Sequence, residues 1–298
     1  MDLGAAVMQH AFAVQNTFDA DQELARAADS VEGLAWRDMI AGAPSWLMHA
    51  SGAAAEVIED AVVMSAPGVD HLLFNRAVGL GLHDAVFESS IVRILKRYKT
   101  RGIARYWIHA NPYARPTHLS RMLMKRGLQP YHRSWVKMMR PAGAIGAPVE
   151  GLNVRRADAT DAHIVSSIVG PAFDLPQLGA EFFAVTVSRP RWHVMIAELD
   201  DQPIAAGGLF VDGQFGYFAF AATRPEFRAH GAQRALMHTR AELAVSLGCD
   251  WLVTETGFPL TADEASSSYH NMLWAGFRAV AVRDNFGLPG TAWSTEGV

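Results

Sequence analysis

At 298 residues, the chain is longer than one ordinary hydrophobic core requires and suits two domains. Half of it is hydrophobic, 19% is charged and the net charge is −4, a balance that excludes a disordered chain and offers no basic face for nucleic acid or anionic lipid. The single cysteine, Cys249, excludes an intrachain disulfide and fits a reducing, cytoplasmic compartment. No apolar run reaches the ~20 residues that span a bilayer, and Asp2 stands where a secretory signal would carry basic charge, so neither membrane nor export is expected. The 12 histidines include no H-E-x-x-H or C-x-x-C frame, so no metal is expected either.

In chain order, the first elements read as helices over residues 3–14, 21–29 and 34–40. Strands follow over 61–64 and 71–79, then a helix over 88–98. Its Arg93, Lys96, Arg97, Lys99 and Arg101 read as a solvated face. A strand over 105–109, a helix over 119–126 ended by Gly127, and a strand over 134–139 complete this half. Gly79-Leu80-Gly81 lacks the third glycine of a dinucleotide fingerprint and is set aside.

The stretch from Arg140 to Pro148 is rich in Pro, Gly and Ala and has no period, so it marks the boundary between domains 1–145 and 150–298. Beyond it, 152–156 reads as a strand, and Asp158 and Asp161 offer caps for a helix toward Ile168. A meander follows over 192–199, 203–211 and 214–223, with a hairpin signal at Asp212-Gly213. Then come a helix over 231–247 stopped by Gly248, a strand over 250–256, a helix over 268–275 and a strand over 278–282. The fold class is therefore α+β. The tail of the first half, Gly102 through Gly127-Leu128, echoes Gly248 through Gly276-Phe277, which reads as a degenerate internal duplication. An unrelated α+β first domain is the alternative.

Chemistry concentrates between Phe218 and Leu236. Here a strand and a Pro turn lead into Arg228-Ala229-His230-Gly231-Ala232-Gln233 at a helix start. Such a start presents unpaired N–H groups and a favourable dipole to an anion. Gly231 lets the backbone approach a diphosphate, and Arg228 can add a charge-assisted contact. This segment resembles the acyl-CoA pyrophosphate loop of the GNAT superfamily, Arg/Gln-x-x-Gly-x-Gly/Ala. Arg228 and Gly231 match, Gln233 departs from the small third position, and Ala229 stands where glycine is frequent. A second segment is similar to the family's Ser-x-x-Asn-x-x-Arg-x-Gly-Phe. Ser268, Asn271, Gly276 and Phe277 match, while Trp274 replaces the arginine.

The resemblance implies a GNAT fold, a mixed and mostly antiparallel sheet flanked by helices, in tandem with a degenerate copy that has lost its phosphate loop. It implies acetyl-CoA as cosubstrate, bound along Phe220, Ala221 and Ala222, by the loop residues Arg228 to Gln233 (His230 and Ala232 included), and by Asn271 beside the pantetheine arm. It also implies N-acetyl transfer to a small-molecule amine, with a backbone N–H from Phe220–Ala222 polarising the thioester carbonyl. The family's usual carboxylate position is empty, since 214–223 contains no Asp or Glu, and Glu255 is the substitute base. Tyr269 is the candidate acid for the leaving thiolate, although the family's usual tyrosine position is held by Met272. The partners expected are the amine and, in a homodimer, a second copy of the chain. The alternatives are a non-catalytic acyl-CoA sensor, or other acyl-CoA chemistry on the same fold.

Overall fold

The computed structural model describes residues 22–131, 133–259, 261 and 265–290, so the helix expected over 3–14 lies outside the described residues. The helix α1 (Gln22–Ala41) buries Ala25, Ala28, Val31, Ala35 and Met39, a stripe at helical spacing. It is one helix where the sequence suggests two. Gly33 does not break it, because a Cβ there would sit 3.0 Å from Val62 and the missing side chain admits close packing on the sheet. A short helix α2 (Ser45–Ser51) follows and ends at Gly52 in the left-handed conformation.

The remaining elements are β1 (Ala54–Ile58), β2 (Ala61–Ser65), β3 (Arg76–Val78), α3 (Glu88–Thr100), β4 (Trp107–Ala110), α4 (Leu119–Lys125), β5 (Gln129–Pro130), β6 (Trp135–Pro141), β7 (Leu152–Arg156), α5 (Ala162–Ala172), α6 (Gln177–Val185), β8 (Trp192–Leu199), β9 (Gln202–Asp212), β10 (Phe215–Thr223), α7 (Ala232–Ser246), β11 (Trp251–Gly257), α8 (Ser267–Trp274) and β12 (Arg278–Gly287). The elements β1, α2, β5 and α6 were not legible in sequence. The strand expected over 71–79 shrinks to β3, because Leu72–Phe74 is a 3₁₀ turn. Asn75 holds that turn, accepting from the Ala66 N–H and donating to the Val69 carbonyl. On α3, Arg93 pairs with Glu59 and Arg97 with Glu56, as a solvated face does.

The sheet runs β1-β2-β3-β4-β12-β6-β11-β10-β9-β8-β7, with β5 pairing β12. Each half of the chain contains a strand, a helix and a parallel strand: β3-α3-β4 and β10-α7-β11. Everything from β7 to β10 is antiparallel. The fold is α+β and GNAT-like. Its two halves, however, exchange their last strands. β6 belongs to the first half of the chain and lies between β11 and β12, while β12 belongs to the second half and pairs with β4. The boundary near 141–148 is thus a boundary in chain order and not in the sheet. Arg189 and the Trp192 indole add to the union, both bonding Asp38 on α1.

Because a missing β6 would leave the ladder edges of β11 and β12 unpaired inside the sheet, the fragment from Glu150 to Val298 should not fold cooperatively alone. Cleavage of the full chain at an engineered protease site between Ala147 and Pro148, both exposed, should instead leave two pieces that co-elute on size exclusion. Separation of the pieces without denaturant would contradict the strand exchange.

Candidate functional site: a cleft through the sheet

The site begins where two strands part. β10 and β11 pair in parallel only from Phe215–Trp251 to Phe218–Thr254. The Thr254 hydroxyl donates to the Phe218 carbonyl at 3.2 Å, and beyond this link the strands diverge. On its other edge β10 carries a bulge: Phe218 pairs Leu209 and Phe220 pairs Gly208, leaving Ala219 extra. The extra residue reverses the side-chain alternation. Phe218 joins the core under α7 and α8, whereas Phe220 joins the core under α1, α5 and α6. Gly208 admits the Phe220 ring, because a Cβ there would lie 2.4 Å from it. Arg240, buried on α7, fixes the bulge by donating from Nη1 to the Gly208 and Phe220 carbonyls, each at 3.2 Å. Burial without a carboxylate partner among the described residues pushes Arg240 down to about 9.

The gap opens into a cleft of ≈ 830 Å³ that draws its walls from both cores. On one face lie Phe218, Met237 and Met272, with Asn271 on α8. Here the loop before α7 turns sharply, with Ala229 at φ 67° and Gly231 at φ 81°. Ala229 therefore holds a left-handed position that glycine adopts without strain. No side chain caps α7. Its first intrahelical bond is Ala235 N–H to the Gly231 carbonyl, so the preceding N–H groups are left for an anion. The Gln233 amide donates to the Thr223 hydroxyl at 2.9 Å and braces the loop to the end of β10, which is what the residue at the family's small position does here.

On the other face the cleft reaches Glu255, whose carboxylate belongs to a buried ionic cluster. Glu255 Oε2 accepts from Lys137 Nζ at 3.3 Å and from Arg283 Nη2, and Oε1 accepts from the Tyr217 hydroxyl at 3.1 Å. Arg76 lies 3.8 Å from Oε1. From above, α1 contributes Glu32, bonded to Lys137 at 2.9 Å and Arg283 at 2.6 Å and ion-paired with Arg76 at 2.8 Å, and Asp29, bonded to Arg283 at 2.6 Å. The three cations hold the Glu32 carboxyl well below the usual carboxylate range against its burial. Glu255 differs. Burial and the Glu32 charge push its carboxyl above its ordinary value despite the cations, and its side chain keeps 10% of its surface. A carboxylate with raised proton affinity at a cleft wall suits general-base work. His109, buried beside Arg76, is pushed well below its ordinary value by burial and the nearby cations.

Of the residues expected at the site, Phe220, Ala221, Ala222, Arg228, Ala229, Gly231, Ala232, Gln233, Asn271 and Glu255 all line this cleft. His230 and Tyr269 do not. His230 is exposed and turned to the Arg228 carbonyl at 3.0 Å. Tyr269 is 0% exposed in the core with Val136, Met138 and Phe258 and is not among the residues that line the cleft. One turn of α8 separates Tyr269 from Met272, and only the later residue reaches the wall. Trp36, Trp135, Phe183, Arg240 and the ionic cluster were not anticipated.

The cleft thus combines a strand splay beside a bulge with an uncapped helix start on one face of the sheet and a carboxylate on the other. Residues 171–256 match the model of the acetyltransferase (GNAT) domain. No curated protein matches the chain. Among solved structures, it is similar to a GCN5-related N-acetyltransferase from Kribbella flavida, at 15% identity and TM-score 0.57 over 82% of this chain and 91% of that one. It is also similar to a functionally unknown conserved protein from Staphylococcus epidermidis (9% identity, TM-score 0.54, 83% and 98% covered). A third is a tandem GNAT protein from the clavulanic acid biosynthesis pathway (11% identity, TM-score 0.51, 66% and 68% covered). At these identities the likeness is one of fold. Residues 171–256 thus match a GNAT acetyltransferase domain, and the fold that carries them is one shared with these structures. Among the described residues no helix is long and apolar enough to cross a membrane.

Two predictions follow from this geometry. Arg228 is exposed and touches no core, so Arg228→Ala should leave the melting temperature unchanged but weaken stabilisation by acetyl-CoA in a thermal-shift titration about tenfold in midpoint. Gly231→Val should abolish that stabilisation. It should also lower the melting temperature, since φ 81° strains any side chain and a Cβ would meet Val149 at 3.0 Å. An undiminished acetyl-CoA response in both variants would remove the loop from the site.

The second concerns acid. His109 is held below 6.5 and Glu32 below 4.5, while His71 is pushed down to about 4 by burial. In each case the unfolded chain takes up the proton first, so the stability present above those ordinary values is lost as pH falls. Glu255 acts oppositely, its raised value disfavouring the folded state once the carboxylate forms. Denaturant midpoints should decline between about pH 7 and pH 5 and again below about pH 4.5, and His109→Gln should reduce the first decline. A flat profile in the native protein down to about pH 5 would contradict a neutral buried His109.

Proposed function

We propose that the protein is an acyl-CoA-dependent N-acyltransferase that moves an acetyl group from acetyl-CoA directly to a small-molecule amine. What supports this reading is the cleft itself, which joins an uncapped helix start on one face of the sheet to Glu255, the one carboxylate among its described lining residues, on the other. Acetyl-CoA would lie with its diphosphate on the N–H groups of residues 231–234 and its pantetheine arm beside Asn271. The thioester would stand in the splay, its carbonyl polarised by backbone N–H groups of 220–222. The amine enters from the α1 face and loses a proton toward Glu255. Its nitrogen forms the amide C–N bond while the C–S bond breaks, and the electron pair leaves on sulfur. The proton given up by the nitrogen balances the one the departing thiolate takes up. Tyr269 has no part in this version, and water in the cleft supplies the thiolate's proton. A cytoplasmic location is part of the proposal and rests on the lone cysteine, which is buried.

One observation favours a second reading. Glu255 already accepts bonds from Lys137, Arg283 and Tyr217, as a purely structural carboxylate would in a protein that binds acyl-CoA without turnover. Thiol release from acetyl-CoA that depends on added amine separates the two. If Glu255 is the base, Glu255→Gln should lower kcat by about 10²–10⁴-fold with acetyl-CoA binding retained, and raising the pH should restore part of the loss. The same substitution removes a negative charge from the cluster and should lower the melting temperature. A pH-independent loss of kcat proportional to unfolded protein would assign Glu255 to structure alone.

A further inference from the structure

The half of the cleft opposite the CoA loop has a composition that bears on its occupant. Its wall is formed by Trp36, Leu73, Trp135, Phe173, Phe183 and Phe220. The first three come from the amino-terminal half and the last three from the carboxy-terminal half. The rings are in contact across the seam: Trp36 meets Phe183 edge-on at 5.8 Å, Phe183 meets Phe220 at 5.0 Å, and Phe173 stacks on Phe183 at 6.2 Å. Phe173 is half-buried and forms the rim, whereas Trp36, Phe183 and Phe220 are buried behind it. Arg76 lies against the far sides of both Trp36 and Trp135, at 4.9 and 5.2 Å, and fixes these indoles from behind.

Charge on this side is sparse. Among the described residues, the ionisable ones that line it are Glu255, whose carboxylate is shared with three cations, and Arg133, whose guanidinium lies against Gly257 of β11. An acceptor with several ammonium groups is best served by several carboxylates, and the described wall offers it one carboxylate and a guanidinium. An apolar ring finds the offset and edge-on partners that aromatic walls provide.

We propose that the acceptor is a monoamine carried on a ring-sized apolar body, neutral or anionic elsewhere, and that the amino-terminal half supplies one wall of its chamber. The proposal rests on the acyltransfer reading for the chemistry but not for the binding. Its amine nitrogen points to Glu255 and its ring lies against the wall that Trp36, Phe183 and Phe220 form, with Phe173 closing the rim. The first half would then have kept a role in acceptor recognition although it lacks a phosphate loop of its own.

The test uses the full-length protein with 2-phenylethylamine, phenylalanine, spermidine and glycinamide. Binding is read by calorimetry and turnover by thiol release from acetyl-CoA. The ring-bearing amines should bind, and their kcat/KM should exceed that of spermidine and glycinamide by about tenfold or more. Phe173→Ala, at a half-buried position that folding tolerates, should raise KM for the ring-bearing amines several-fold. The loss should fall on the acceptor KM and not on the acetyl-CoA KM, and should be larger for the ring-bearing amines than for glycinamide, and Phe173→Leu should restore most of it. Binding of the ring-bearing amines without any thiol release would uphold the chamber and reject the acyltransfer reading. Preference for spermidine or glycinamide, or no detectable binding of either ring-bearing amine, would overturn the proposal.

Discussion

The ionic cluster beneath α1 is the constraint around which the remaining structure is arranged. Arg76, Arg283, Lys137 and Glu255 stand on β3, β12, β6 and β11, and Tyr217 on β10, so one polar stripe crosses strands from both halves of the chain. Glu32 and Asp29 close it from above. Burying such charges is costly, and the stripe persists only because nearly every charge has an opposite one within bonding reach. Losing a single partner would cost about 3–5 kcal/mol, which fixes the register of every contributing strand and the seat of α1. The exchange of β6 and β12 is what brings Lys137 and Arg283 side by side. Glu255 is the one member that also reaches the cleft. The group best placed for proton transfer is thereby positioned by residues from both halves.

The two halves of the chain make different contributions to this arrangement. The carboxy-terminal half supplies the splay, the bulge at Ala219 and the uncapped α7. The amino-terminal half supplies β6 inside the sheet, α1 over the cluster, and Trp36, Leu73 and Trp135 on the cleft wall. A sheet shared in this manner joins the two halves through the β4–β12, β6–β12 and β6–β11 pairings.

The local features of the site were legible in sequence because they are local. A strand, a turn and Arg-x-x-Gly before a helix specify the loop within a dozen residues, and all the loop residues except His230 reach the cleft. Glu255 was legible only by elimination, as the nearest carboxylate after a strand lacking one. What could not be read depends on contacts distant in sequence. Lys137 and Arg283 are lone cations inside apolar strands, which is a signal, but their partners lie on a helix more than a hundred residues away. The strand exchange likewise leaves no mark, since β6 has the same apolar pattern whichever neighbours it pairs with. Tyr269 and Met272 share one face of α8 and one core, and of the two only Met272, one turn further along, reaches the cleft wall. α6 was missed because its apolar residues surround a Gly-Ala stretch with weak periodicity, and it is packing against Trp36 and Phe74 that selects the helix.

Amide hydrogen exchange of the full-length protein, with and without acetyl-CoA, tests the central claim most directly, because it reports where the donor binds without requiring an acceptor. The account predicts new protection at residues 228–235 and 219–223, on the two sides of the splay, and at 267–272 on α8, while β1, β2 and α3 remain unchanged. Protection confined to the amino-terminal half, or none in the loop before α7 at saturating acetyl-CoA, would contradict it.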